Sequence, residues 1–481
     1  MSAEELKKIE KWGRFELELD GPREGNPYRE VSLKGKFRRK NREVEVEGFY
    51  DGDGSYKLRF TPDRLGKWCY ETISDREELD GRWGKFRCVE PSEGNHGPVR
   101  VEDKVHFAYA DGSPYYPVGT TCYAWIHQKE SLQEETLEEL KESPFNKIRS
   151  CVFPKHYAFN KNEPLYHPFQ KGEGEERDFS RPNPEFFRHL EEQVERLGEL
   201  GIQLDLILFH PYDRWGYAEM GKEADDRYLR YVVARLNSYH NVWWSLANEY
   251  DLLEEKSTAD WDRFFKIIQE NDPVGHLRSI HNCREFYDHN KPWVTHLSVQ
   301  SQDKFDVTDW REEYGKPVVV DECGYEGNNG YGWGSLPPKE LIRRLWKVAT
   351  TGGFPAAHGE TYLDPDDVLW WSKGGKLKGE SPKRIAFLRE IFERAPAKLK
   401  PCALGGWDAS AAGIEEDFYL LYFGIDQPAR KELDLPSGHR YEIEVIDTWG
   451  MTVDPLGGEF SGSVELGLPG KPYQALRITR V

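Results

Sequence analysis

The sequence predicts a multidomain chain of mixed class, α/β in its middle and all-β at both ends: a central (β/α)8 barrel flanked by an N-terminal and a C-terminal β-sandwich. Three observations carry this. Residues 10 to about 95 alternate apolar and polar, as half-exposed strands do; from about 99 strand-like runs alternate with helical periods; past about 396 the two-residue alternation returns. The expected boundaries are 1–97, 98–395 and 396–481, and a chain of 481 residues suits roughly three domains.

In the first part, strands are expected at 15–19, 43–50, 56–60 and 67–72, with a hairpin signal at Asp51-Gly52-Asp53-Gly54 and no long helical pattern, which is the mark of a sandwich. The segment from Glu93 to Pro98 breaks the pattern. The central part then offers strands at 116–121, 146–152, 202–209, 242–246, 277–280, 293–297, 317–321 and, more weakly, 356–359. Helical periods fill 132–142, 183–200, 224–239, 258–270 and 339–350, with Asn183 an N-cap and Gly201 a stop. The link between the fifth and sixth strands is short, so a helix is expected to be degraded there. Eight such repeats over about 300 residues fit a closed TIM-type barrel better than an open doubly wound sheet, and no Gly-rich phosphate loop follows the first strand. Strands at 418–423, 441–446 and 474–478 define the second sandwich, expected to cover and stabilise the barrel.

Hydrophobic residues at 38% indicate a globular chain, and a net charge of -19 argues against nucleic acid or an anionic membrane as partner. The supply of 16 Trp, 25 Tyr and 24 Phe offers flat apolar faces for sugar rings as well as core filling. The first residues lack the segments of a secretion signal and no run of about 18 apolar residues exists, so a cytoplasmic location is expected. Seven cysteines without metal-type spacing fit reduced thiols, with Cys69 and Cys88 the one pair considered for a bridge. No cofactor is expected, and self-association is left open.

The chemistry centres on two strand ends. Val242-Trp243-Trp244-Ser245-Leu246-Ala247 stops at Asn248-Glu249, and Val318-Val319-Val320 stops at Asp321-Glu322. These close the fourth and seventh strands, so a barrel brings them to one rim. Glycoside cleavage requires two carboxyl groups flanking the bond, one protonated and one ionised; at a separation of about 5 to 5.5 Å the ionised one attacks carbon and configuration is retained. Which member has the raised pKa stays open on the residues themselves. Asp321, one residue earlier, points the other way on a strand.

Asn248-Glu249 and Glu322 at these positions resemble the clan A retaining barrel glycoside hydrolases. More narrowly, Gly48-Phe49-Tyr50-Asp51-Gly52-Asp53-Gly54 with Phe60-Thr61-Pro62, and Asn95-His96-Gly97-Pro98-Val99 leading to Tyr109-Ala110-Asp111-Gly112, resemble the DUF5060 module and its junction to a DUF4038-like barrel. Val118-Gly119-Thr120-Thr121-Cys122-Tyr123-Ala124-Trp125 and the C-terminal part resemble the DUF5605 relatives of that group. The resemblance spans nearly the whole chain and implies Glu249 as general acid/base and Glu322 as nucleophile; it does not fix the sugar.

Other polar residues near strand ends suit sugar hydroxyls: Arg149, His210, His281, His296, His358 and Glu360. Arg149 is placed to hold Glu322 ionised and Asn248 to bind the hydroxyl beside the reacting carbon. Trp125, Tyr157, Trp215, Tyr325 and Trp371 are candidate stacking platforms. Two other readings compete. A metal-dependent barrel hydrolase draws on the four histidines but lacks a His-x-His pair or an HExxH helix; a non-catalytic carbohydrate-binding protein would keep the barrel without turnover. The favoured reading is a retaining glycoside hydrolase acting on short, plant-derived oligosaccharides or β-glycosides. The long 154–182 loop favours exo action.

Overall fold

The computed structural model describes residues 6–172, 174, 176–302 and 305–481. Its centre is a set of parallel strands: β1 (Gly119–Thr121), β2 (Lys147–Cys151), β3 (Gln203–Phe209), β4 (Val242–Ala247) and β5 (Arg278–Ser279) form one sheet in that order. β6 (Leu297–Gln300), β7 (Val318–Glu322) and β8 (Phe354–Pro355) form a second. Isolated parallel bridges join the two sets at His281 with Ser298 and at Thr120 with His358. Strands β3, β4 and β7 are buried along their whole length, which is why they read as nearly continuous apolar runs.

Amphipathic helices pack outside. They are α1 (Glu130–Glu142), α2 (Pro184–Glu199), α3 (Lys222–Leu236), α4 (Thr258–Asn271), α5 (Val307–Tyr314), α6 (Pro338–Thr350) and α7 (Ser381–Arg394). Helix α2 starts as its sequence dictates: Asn183 Oδ1 accepts the Glu185 amide at 3.2 Å and Pro184 fills the first position. Residues 280–296 carry no helix. The 154–182 segment contains a strand pair, Phe169–Lys171 with Arg177–Pro182, and a second pair, Val99–Glu102 with His106–Tyr109, packs Phe107 against Trp243 and Phe354 at the start of the strands.

Residues 8–89 build a five-stranded and a three-stranded sheet whose facing side chains share one apolar cluster, with Phe37 stacked on Phe60 at 4.2 Å. Residues 400–480 build a six-stranded sheet and a strand pair around Leu421, Tyr441, Ile443 and Leu476. Cys69 is exposed opposite Lys85, whereas Cys88 is buried opposite Gly66; both are free thiols on different faces of one sheet. No described helix is long and apolar enough to cross a membrane.

The strand-bound residues 8–89 are tied to the central part by buried charges. Arg235 of α3 donates to Asp51 Oδ1 at 2.7 Å and to Glu191 of α2, and Arg59 donates to Glu191 at 2.9 Å. Burial pushes both acids up, but the guanidinium groups hold Glu191 and Asp51 below the usual carboxylate range.

Candidate active site

The C-terminal ends of β2, β4 and β7 converge on one polar cluster. Arg149, inside β2, is wholly buried and donates from Nη1 to Glu322 Oε1 at 3.1 Å and from Nη2 to Asn248 Oδ1 at 3.1 Å. Tyr123, just past β1, donates to Glu322 Oε1 and lies 3.0 Å from Asn248 Oδ1. Asn248 Nδ2 in turn reaches Glu249 Oε2 at 3.2 Å. The two carboxyl groups are thus linked through Asn248, Arg149 and Tyr123. Tyr212, three residues past the end of β3, donates its hydroxyl to Glu249 Oε2.

The backbone aims both acids. Glu249 adopts φ 50 and ψ 54, the left-handed region that a residue with a Cβ enters at a cost of about 1–2 kcal/mol. It is fixed from both sides: Asn248 N donates to Phe209 O and Tyr250 N to His281 O, each at 3.0 Å. Glu322 follows a register irregularity at Val299/Gln300, which pairs Gln300 with Glu322, the kind of local shift that redirects a side chain at a strand end. Asp321 belongs to a deeper polar layer, accepting from Lys147 Nζ at 2.7 Å and from Ser298, while Lys147 also reaches Asp205 at 2.6 Å.

Electrostatically the site is largely buried and charged. Burial pushes the Glu322 carboxyl up from its ordinary range, Arg149 opposes that, and Glu249 reinforces it. His281 lies 3.9 Å from Glu322 Oε1, and burial together with Arg149, Lys147 and Lys155 drives its pKa far down, so its ring is neutral. The Cys283 thiol is pushed up to about 12 by burial and by Glu249 and Asp251. Lys155, past the end of β2, is 2% exposed. Its Nζ sits over the rings of Tyr123 at 3.6 Å, Tyr212 at 4.2 Å and Tyr157 at 4.8 Å. Tyr325 and Trp371 pack 5.7 Å apart beside them and are nearly closed off from solvent.

Several expected residues are elsewhere. Strand β6 begins at Leu297, four residues later than the sequence suggested, so His296 precedes it and packs on Trp243 and Phe107 at the opposite end of the strands. His358 bonds Thr120 Oγ1 at 2.7 Å and stacks on Phe145, away from the acids. Glu360 accepts from the Lys378 amide at 2.6 Å. Trp125 is fully buried in the main core and offers no face to a ligand. Trp215 packs among His156, His167 and Arg214 on an outer groove. His210 donates from Nε2 to Phe153 O at 3.1 Å and accepts the Tyr212 amide at Nδ1, so it is tied to the site through Tyr212. The four histidines therefore do not converge, and no described group of three His, Cys, Asp or Glu side chains has metal-holding geometry. Tyr123, Lys155, Tyr212 and Cys283 were not singled out from sequence; the first three each follow a strand end, within one to four residues of it, which is the signal that could have found them.

The model of the apiosidase-like catalytic domain matches residues 101–395, where the sequence leads us to expect a DUF4038-like barrel. A solved structure from Bacteroides vulgatus ATCC 8482, described as a candidate glycoside hydrolase, shares 40% identity over 99% of this chain and 100% of its own, with a TM-score of 0.93. The chain belongs to the apiosidase-like family. Two domains of unknown function flank the apiosidase-like segment, DUF5060 at residues 8–75 and DUF5605 at 407–479. A structure described as a glycoside hydrolase matches with TM-score 0.63 at 16% identity, over 80% of this chain and 97% of that one. A family 5 glycoside hydrolase from Bacteroides vulgatus ATCC 8482 matches with TM-score 0.61 at 15% identity, over 80% and 94%. Both are likenesses of fold. No curated protein matches the chain. The family and its 40% identical relative support glycoside hydrolase activity for this apiosidase-like chain.

Proposed function

We propose that the chain is a retaining glycoside hydrolase in which Glu322 is the nucleophile and Glu249 the general acid/base. The observation that carries this is the asymmetry of the two acids. Glu322 Oε1 receives a cationic donor, Arg149, together with Tyr123, whereas the donors at Glu249, Asn248, Tyr212 and Cys283, are all neutral. In the first step Glu322 Oε attacks the anomeric carbon, the glycosidic C–O bond breaks, and the proton of Glu249 passes to the leaving oxygen. In the second, Glu249 takes a proton from water, the hydroxide oxygen joins the anomeric carbon, and the Glu322 ester bond breaks. Asn248 and Arg149 hold the two acids in register for both steps.

The bridges at His281/Ser298 and Thr120/His358 favour closing the eight strands into a barrel, with domains at 1–97, 98–395 and 396–481. The strand pair within 154–182 favours a cleft blocked at one end, hence exo action on short oligosaccharides, in keeping with a cytoplasmic location. The test is a panel of aryl glycosides assayed with wild type, Glu322→Ala and Glu249→Ala. Wild type is expected to hydrolyse at least one, Glu322→Ala to lose more than about 10³-fold, and added azide to restore turnover in the variants. Unchanged hydrolysis in both variants refutes the assignment.

A further inference from the structure

Lys155 is a buried cation with an unusual lack of partners. Among the described residues its Nζ is neither hydrogen-bonded nor ion-paired, although it is 2% exposed. Around it stand only ring faces: Tyr123, Tyr212 and Tyr157 within 4.8 Å and Trp371 at 5.8 Å. The hydroxyls of those tyrosines are engaged elsewhere, Tyr123 with Glu322, Tyr212 with Glu249 and Tyr157 with Ser372. Lys155 therefore lies between the ring that serves one acid and the ring that serves the other. An ammonium has three donors; Nζ is not among the atoms fully closed off from solvent without a partner, so they stay open to an acceptor in the site, while burying the rest of the side chain carries a desolvation cost. Cation–π contact offsets part of that cost but satisfies no N–H. Burial pulls Lys155 below the ordinary lysine range, while Glu249 and Glu322 oppose the shift, which places both acids within its field.

We propose that Lys155 is the specificity-determining residue of this site, donating from Nζ to a ring hydroxyl of the sugar held between Glu249 and Glu322. This rests on the glycosidase reading above and extends it to the hydroxyl that the site reads on its substrate. Arg149 is already taken up by Glu322 and Asn248, whereas Lys155 has ring faces and no acceptor beside it, so its donors are left for a ring hydroxyl at this edge of the site. The surrounding rings supply the apolar walls against which a sugar ring packs, and the ammonium fixes which of its hydroxyls points inward.

The experiment uses the aryl glycoside that wild type turns over fastest and its monodeoxy analogues, one for each ring hydroxyl, with wild type, Lys155→Met and Lys155→Arg. Lys155→Met is expected to lower kcat/KM about 10- to 100-fold, the range of one hydrogen bond to a charged group. One deoxy analogue is expected to suffer that same loss with wild type and no further loss with Lys155→Met, while the others lose equally with both enzymes. A uniform loss across all analogues makes Lys155 a structural residue and overturns the proposal. Should Lys155→Met fail to fold, Lys155→Arg, which keeps the charge and moves the donors, must still change the ranking of the deoxy analogues. If wild type cleaves no glycoside, the glycosidase reading fails by itself; tryptophan fluorescence titration with free monosaccharides then decides on Lys155, whose role is refuted if Lys155→Met and wild type bind them equally.

Discussion

At the residue scale the account rests on what each acid touches. Arg149 is the strongest influence favouring an ionised Glu322, set against burial that pushes the same carboxyl up. A nucleophile works only as the carboxylate, so activity falls as pH drops through the Glu322 pKa. Replacing Arg149 by Met removes the opposing charge and lets that pKa rise further. The acidic limb of the kcat/KM profile should therefore move to higher pH, with a loss of about 10²-fold or more at the optimum; an unmoved limb argues that Arg149 does not set the charge of Glu322. Tyr212→Phe removes the hydroxyl bonded to Glu249, and steady-state assays should show a fall in kcat of about tenfold with KM little changed. The pair itself was readable from sequence, because an apolar run that stops at a carboxylate is visible without coordinates. Tyr123, Tyr212 and Lys155 were not singled out: a place just past a strand end puts them on the right side of the molecule, but it does not say which such residue closes around an acid.

At the scale of elements, capping and strand phase decide what can be foreseen. Asn183 was legible as the N-cap of α2 because its chemistry is local, and Asn183→Ala should cost about 1 kcal/mol in a denaturant midpoint measurement. The sixth strand was misplaced because Trp293 and Val294 look strand-like, yet the Trp293 carbonyl is occupied by Arg278 Nε at 3.0 Å and pairing begins only at Leu297. That shift of four residues carries His296 from one end of the strands to the other. The left-handed backbone of Glu249 was likewise hidden, since glutamate has no preference for positive φ; two flanking backbone bonds, Asn248 N to Phe209 O and Tyr250 N to His281 O, hold it. Asp251 extends this control by accepting the amides of Cys283, Arg284 and Glu285.

At the scale of the whole molecule, the buried network of Arg59, Glu191, Arg235 and Asp51 joins the N-terminal sheets to the central strands and helices. Arg235 is wholly buried, so Arg235→Met leaves two acids short of a partner and should cost about 3–5 kcal/mol at neutral pH. The sign with pH follows from the depressed carboxylates. Their folded pKa values lie below the unfolded ones, so the stabilisation is present above the ordinary carboxylate range and is lost as pH falls through the depressed values. The gap in melting temperature between wild type and Arg235→Met should therefore be full above about pH 4 and narrow below it. The three-part order of sheets, β/α repeats and sheets was visible as changes of hydrophobic period, whereas this charged seam was not, because Arg59 and Arg235 sit in segments that look like ordinary solvated faces.

The central claim is that Glu322 forms a covalent bond to the sugar. Mass spectrometry of the enzyme treated with a 2-deoxy-2-fluoro glycoside of the sugar chosen by the aryl panel tests it directly. The expected result is one added glycosyl group on the peptide that carries Glu322, absent in Glu322→Ala. A label on Glu249, or no adduct together with products of inverted configuration, would contradict it.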